Sequence, residues 1–221
     1  MKSVLVVVAH PDDEALGCSG TLAKHVESGD DVSIVFMTDG IGARNPTSSG
    51  VIARSVAAEK ACELIGFTTV KYNSFPDNNM DSISFLEVIK CIEESISSLQ
   101  PEIIYTHHRG DLNLDHQITH RAVLTACRPE PGHPVKEIYT FETLSSTEWQ
   151  TPGYLPFTPN YFVDISGQMV TKRKVLEIYN GEIRSPPHSR SIENAIRLAE
   201  IRGNSIGVDF AEAYQVVRVL R

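Results

Sequence analysis

The sequence predicts an α/β fold with a mostly parallel sheet, on three observations. Strand-like and helix-like segments alternate over the first two thirds of the chain. The connections between them are short, which favours right-handed β-α-β crossovers. The first segment, residues 3–10, is a continuous Val-rich apolar run, as expected of a strand buried on both faces. With 221 residues and no interdomain linker, we expect residues 1–221 to form one domain.

The elements follow from local signals. A helix is predicted over 12–28, because Gly29 closes it. A second strand at 31–38 ends at Asp39-Gly40, and a loop rich in Gly, Asn, Pro and Ser covers 40–50.

The next helix, 51–65, carries apolar or small residues on one face and stops at Gly66. A third strand at 68–75 ends in a Pro-Asp-Asn turn. The helix at 82–99 ends before Pro101.

A fourth strand, 102–106, runs into two histidines, and the last third of the chain is less regular. The remaining predicted elements are helices at 115–128, 167–180 and 190–203 and strands at 135–143, 160–165 and 213–219.

Composition excludes several classes of protein. The net charge of −8 and the lack of a Lys/Arg cluster argue against a nucleic-acid partner. No apolar run reaches the roughly 20 residues that span a bilayer, and no signal peptide is recognised, so we expect a cytoplasmic protein. The four cysteines lack CxxC spacing and are expected to be small buried hydrophobic residues.

Two segments carry the chemistry: His10-Pro11-Asp12-Asp13-Glu14 and the stretch from His107 to His116. Both follow predicted parallel strands, so both should lie at the sheet edge where α/β folds bind ligands. His10, Asp13 and His116 would supply two imidazoles and a carboxylate, a donor set that suits a catalytic zinc with an open position. Asp12 would then lie beside the metal as a general base.

Other interpretations stay open at this point. Asp12 and Asp13 also suit a helix N-terminus, where acidic residues complement the helix dipole. An acidic pair after the first strand also suits a Mg²⁺-binding, receiver-like signalling domain, although that site needs only oxygen ligands. A zinc amidase or deamidase of a non-sugar substrate is a further alternative. Fe(II), Co(II) or Mn(II) would suit the same donors.

The run Ala9–Glu14 (AHPDDE) and the pair Asp115-His116 resemble the PIG-L/LmbE family of zinc-dependent N-acetylglucosamine deacetylases. The resemblance implies a Rossmann-like three-layer α/β sandwich and removal of an N-acetyl group from an N-acetylglucosamine-type sugar or conjugate. It also implies that His10, Asp13 and His116 bind zinc and that Asp12 is the general base. The family is often oligomeric, so a homo-oligomer is compatible with the resemblance.

The resemblance further implies substrate contacts for Arg54 and for Asp77. Many members carry a His three residues before the third ligand, where this chain has Asn113, whose amide can donate a hydrogen bond but cannot transfer a proton. This departure leaves the general acid open between Asp12 acting twice, His108 and His188.

Several residues have no predicted role. His25, His120 and His133 are expected on the surface or on a helix face, and Asp111 is expected only to cap the loop before the fourth helix. Trp149 and Tyr154 are expected to pack in the core rather than to stack on a sugar.

Overall fold

A seven-stranded sheet organises the domain, with the strand order β3-β2-β1-β4-β5-β7-β6. The computed structural model describes residues 1–38 and 48–221, with no side chains described for 48–53. Asp39-Gly40 and most of the predicted 40–50 loop lie outside this range. The strands are β1 Ser3–Val8, β2 Asp31–Thr38, β3 Thr69–Phe75, β4 Ile103–His107, β5 Glu137–Phe141, β6 Tyr161–Asp164 and β7 Ala211–Val219.

The helices that pack on the sheet are α1 Asp13–Gly17, α2 Ser19–Glu27, α3 Ser48–Ile65, α4 Phe85–Leu99, α5 Leu114–Ala126, α6 Met169–Ile178 and α7 Ile192–Asn204. Short 3₁₀ turns lie at Met80–Ser82 and Thr147–Trp149. Strands β1 to β5 are parallel, and β7 runs antiparallel between β5 and β6. The predicted α/β fold with a mostly parallel sheet is therefore confirmed.

Alternate residues of β1 face two separate cores, which is the reason for its continuous apolar sequence. Val4, Val6 and Val8 belong to one core, together with residues of α2, α3 and α6. Leu5 and Val7 belong to the other, together with residues of α4 and α5. All five side chains are at most 1% exposed. The three layers of the predicted sandwich follow from this two-sided burial.

The topology brings distant segments to one edge. In register, Val4 of β1 pairs with Ile103 of β4, and Val7 pairs with Thr106. The chain leaves β1 toward β2 on one side, whereas β4 continues toward β5 on the other. Ligands bind in such sheets where the strand order reverses. The residues after β1 and those after β4 thus share this crevice.

The predicted helix over 12–28 is two helices, broken at Cys18. A buried ion pair from later in the chain satisfies the backbone groups freed by the break. The ammonium of Lys172 donates to the carbonyls of Ala15 and Leu16 at the end of α1. The carboxylate of Glu212 accepts the first N–H groups of α2, at Gly20 and Thr21, and lies 2.6 Å from Lys172 Nζ.

The expected burial holds for three of the four cysteines. All four are free, three of them are buried and Cys91 is partly exposed. In the described part of the chain, no helix has the length and apolar character needed to cross a membrane.

Candidate active site

The loop after β1 places His10, Asp13 and, from α5, His116 against one another. His10 Nδ1 lies 3.2 Å from Asp13 Oδ2 and 3.3 Å from His116 Nε2, and His116 Nε2 lies 3.3 Å from Asp13 Oδ1. The His10 backbone N–H donates to Asp13 Oδ2 at 2.8 Å, which fixes the turn between them. The three side chains predicted as metal ligands therefore converge and are buried.

The three donors fit a tetrahedral metal ion. Ligands at the usual Zn–N and Zn–O bond lengths are separated by about 3.3–3.4 Å in a tetrahedron. The three separations of 3.2–3.3 Å match this edge length. Two imidazole nitrogens and a carboxylate are also a typical donor set for zinc in enzymes.

His10 and His116 each turn their other ring nitrogen toward a carboxylate. His10 Nε2 lies 3.1 Å from Asp77 and 3.2 Å from Asp115, and His116 Nδ1 lies 3.1 Å from Asp111. Carboxylates in this position hold a ligating imidazole in the correct tautomer and orientation. His10, Asp77 and Asp115 form a second group with metal-ligand potential. Here Asp115 already accepts backbone N–H groups from Asn78 and Met80, which favours the orienting role.

Asp111 is itself held in place. Thr147 Oγ1 donates to it at 2.7 Å, the Ser146 hydroxyl is hydrogen-bonded to it, and the Asn113 backbone N–H donates at 2.8 Å. Burial opposes ionisation of Asp111, but His116, the Ser146 hydroxyl and His107 lower its pKa to about 2. The expectation that Asp111 only caps a loop missed its contact with His116.

The charges of the metal-free cluster depend on one another. Burial opposes protonation of His116, but Asp13 and Asp111 raise its pKa to about 9. Burial would raise the pKa of Asp13, but the neighbouring imidazoles hold it well below its usual range. A metal ion entering this cluster therefore has to displace a proton from His116 at neutral pH.

His107 packs against the cluster of His10, Asp13 and His116. Its ring is completely buried and stacks on His116 with centroids 3.9 Å apart. Its Nε2 accepts the backbone N–H of Ala9 at 2.9 Å. Burial and the neighbouring His116 lower the pKa of His107 to about 4, so it stays neutral.

Asp12 lies next to the cluster in a strained backbone conformation. Its φ of 113° is in the left-handed region, which costs a residue other than glycine about 1–3 kcal/mol. The side chain makes no cap hydrogen bond to α1, so it does not serve as an ordinary helix cap. Burial raises the pKa of Asp12, and Arg54 and Arg190 oppose this rise. A buried carboxylate with a shifted pKa and charged neighbours is typical of a functional site.

The predicted substrate residues have different surroundings. Arg54 Nε and Nη2 donate to the Pro11 carbonyl, and Nη2 lies 3.4 Å from Asp12. Asp77 faces His10. The Asn113 side chain caps α5 by accepting the N–H groups of Asp115 and His116, while its Nδ2 donates to Asn78.

His188 accepts the backbone N–H of Arg190, and its ring meets the Trp149 ring edge-on at 5.5 Å. His108 is buried, and its Nε2 lies 2.8 Å from the Leu155 carbonyl oxygen.

His120 lies on a face of helix α5, and it is buried there, with Nδ1 at 2.9 Å from the His107 carbonyl. Two expectations about other aromatic residues are wrong. Trp149 and Tyr154 are about half exposed and do not pack in the core. The strand and helix periods do not extend into the 144–159 loops, so the sequence held no signal for their exposure.

Arg190 is a further residue of this site that sequence reasoning missed. Its Nη1 lies 3.0 Å from Asp12 Oδ2, although 178 residues separate them in the chain. The only signal was its position two residues after His188, in a Pro-rich loop.

Comparison with known proteins places the chain in a family. Residues 5–127, more than half of the chain, match the PIG-L family, described as GlcNAc-PI de-N-acetylase. The chain belongs to this family. This membership overturns the receiver-domain alternative.

Individual relatives agree with the family. The chain is similar to YaiS, an uncharacterized deacetylase of Escherichia coli, with 29% identity over 77% of this chain and 85% of that protein. It is also similar to the diacetylchitobiose deacetylase of Thermococcus kodakarensis, with 28% identity over 82% of this chain and 70% of that protein.

The fold is shared more widely. The diacetylchitobiose deacetylase of Pyrococcus horikoshii matches with a TM-score of 0.80 and 20% identity, covering 98% of this chain and 84% of that one. GalB, a 4-carboxy-2-hydroxymuconate hydratase of Pseudomonas putida, matches with the same TM-score and 23% identity, covering 100% and 99%. These two likenesses show the fold alone.

Proposed function

We propose that the protein is a zinc-dependent deacetylase that removes the N-acetyl group from an N-acetylglucosamine-type sugar or conjugate. The observation that carries the proposal is the triangle of His10, Asp13 and His116 with Asp12 buried beside it. Similarity to curated deacetylases supports the reaction class. A zinc amidase with a non-sugar substrate has the same site requirements and is the alternative that the substrate test addresses.

His10, Asp13 and His116 would hold the metal. When bound, zinc supplies a Lewis acid for the acetyl carbonyl and lowers the pKa of a coordinated water. Asp111, Asp77 and Asp115 keep the two imidazoles in the ligating tautomer through their second ring nitrogens.

Asp12 takes the proton from the attacking water. Its raised pKa brings it closer to the operating pH, which favours general base catalysis. The same carboxyl can then donate that proton to the departing amine, so that acetate and the free amine leave. We favour Asp12 in both steps, because His108 is engaged with the Leu155 carbonyl and His188 already accepts from Arg190 N.

The remaining substrate contacts are proposals of differing strength. Arg54 lies beside Asp12 and is well placed to contact the substrate. Because Asp77 faces His10, it would contact the sugar only through the part of its carboxylate that His10 does not cover. Asn113 would have to exchange its bond to Asn78 to donate to an oxyanion. His188 is partly exposed near Arg190 and would contact the sugar substituent.

Acetate release tests the proposal. The zinc-loaded protein is incubated with N-acetylglucosamine, diacetylchitobiose and other N-acetylglucosamine conjugates, with simple N-acetyl amides as the non-sugar arm. We expect acetate from a sugar substrate, loss of activity with a chelator and recovery with zinc. Asp12→Asn should lower kcat by about 10²–10⁴-fold, and exposed Asp209→Asn should change it little. Zinc-loaded protein that releases acetate from no sugar would refute the substrate class.

Localisation and assembly stay predictions. We propose a cytoplasmic protein and a homo-oligomer. Light scattering on the purified protein would measure the latter, and a monomeric mass would contradict it.

A further inference from the structure

The carboxylate of Asp12 needs partners from other residues to keep one orientation. It caps no helix, and the rotation about its last side-chain bond is soft. A carboxylate plane is fixed only when both oxygens are held. Asp12 Oδ1 faces Arg54 and Oδ2 faces Arg190, so two guanidinium groups from different segments share this task.

The two arginines are not equivalent. Arg54 is also engaged elsewhere: the Pro11 carbonyl receives two of its N–H groups at 3.0 and 3.2 Å, and its Nη1 lies 3.6 Å from Glu182. Its distance to Asp12 is the longer of the two arginine contacts, 3.4 Å. Arg190 Nη1 lies 3.0 Å from Asp12 Oδ2, and its Nε donates to Ser145 Oγ at 2.8 Å. Arg190 therefore makes the shorter contact with Asp12, and the hydrogen bond to Ser145 fixes its guanidinium group in place.

We propose that Arg190 is a positioning residue that fixes the plane of the Asp12 carboxylate for proton transfer. The inference rests on the proposed function, in which Asp12 is the general base. Misplacing a reacting group by about 1 Å costs on the order of 100-fold in rate, so a freely rotating carboxylate should be a poor base.

Arg190 could instead serve only to anchor its own segment. That segment has other attachments: the Ser189 hydroxyl is hydrogen-bonded to Glu148, and Asn194 Nδ2 donates to the Ser189 carbonyl. His188 also contacts Trp149. Since these contacts do not involve the Arg190 side chain, its removal should leave the segment in place.

A double-mutant cycle separates the possibilities, with kcat and KM measured on the substrate that the wild-type protein deacetylates. The variants are Arg190→Ala, Asp12→Asn and their combination. Asn is chosen because it tolerates the positive φ of Asp12. Arg184→Ala is the matched control, since the hydrogen bonds of that exposed side chain, within the described residues, go to the nearby Gly181 and Ile183 carbonyls.

We expect Arg190→Ala to lower kcat by on the order of 100-fold with little change in KM. Added guanidinium should restore part of that loss. On the Asp12→Asn background, Arg190→Ala should cost less than threefold further, because the residue it positions is already gone. Arg184→Ala should leave kcat within twofold.

Other results would overturn the inference. The fold losses in kcat of the two single variants could multiply in the double variant, or only KM could change. Either result would mean that Arg190 acts on the substrate or the fold and not through Asp12. If Arg190→Ala does not fold, Arg190→Lys enters the same cycle, and an additive loss would again refute the role. A wild-type protein that releases no acetate refutes the proposed function instead, before the cycle begins.

Discussion

The pairing of Asp111 with His116 makes a quantitative prediction about metal affinity. Asp111→Asn keeps the shape of the side chain but removes the charge 3.1 Å from His116 Nδ1. Losing an orienting carboxylate typically weakens metal binding by 10–100-fold, which is about 1.4–2.7 kcal/mol. We expect the zinc dissociation constant to rise by this factor when the imidazole is neutral.

The same substitution has an opposing effect at lower pH. In the metal-free protein Asp13 and Asp111 raise the pKa of His116 to about 9, so zinc displaces a proton below that pH. Without Asp111 the pKa of His116 falls toward its ordinary value, and the proton competes less. The loss of affinity should therefore be largest near pH 9 and shrink as the pH falls toward 7.

Competition against a fluorescent zinc chelator across pH 7–9 measures this effect. Asp30→Asn is the matched control, because Asp30 holds the His25 imidazole at 2.8 Å in the same manner but outside the site. The reasoning fails if Asp111→Asn binds zinc as tightly as wild type at pH 9. It also fails if the loss does not vary with pH, or if Asp30→Asn weakens zinc equally.

Three further predictions concern stability. Lys172→Met should lower the free energy of unfolding by about 3–5 kcal/mol, because it leaves the Glu212 carboxylate buried without its partner; urea unfolding that shifts by less than 1 kcal/mol would contradict this. Gly110→Ala should cost about 1–3 kcal/mol, since its Cβ would lie 2.0 Å from a backbone oxygen, whereas Gly167→Ala has open space and should cost much less. Burial lowers the pKa of His120 to about 4, so only the unfolded chain takes up its proton between pH 6.5 and 4. The free energy of unfolding should therefore fall by up to about 3 kcal/mol as the pH falls over that range. Urea unfolding of the metal-free proteins measures it, and His120→Gln should lack this pH-dependent loss.

The strand alternation and the two motif segments were predictable because their signals are local. A buried parallel strand needs a continuous apolar run, and β1 has one. Since parallel strands end at one edge, the convergence of His10, Asp13 and His116 followed from strand order. The structure brings these three side chains together as expected.

The parts that the sequence did not predict depend on contacts between distant residues. A helix period continues through Cys18, and only Lys172 and Glu212 reveal why the helix breaks there. Arg190 lies in an irregular loop, where no periodicity indicates which way a side chain points. The orienting role of Asp111 needs the 3₁₀ turn that brings Ser146 and Thr147 to it.

The fold alone does not decide the reaction, since a deacetylase and a hydratase match this chain with the same TM-score. Function depends on the site that a fold carries, so the reaction has to be argued from the residues around His10, Asp13 and His116. In this chain Asn113 caps α5 with its side-chain oxygen, and its amide cannot transfer a proton. If the protein is a deacetylase, the proton for the departing amine must then come from another group, and we favour Asp12, a buried carboxyl beside the cluster whose pKa is raised. Its orientation by Arg190 therefore bears on both proton transfers, so one substitution should slow attack and departure together.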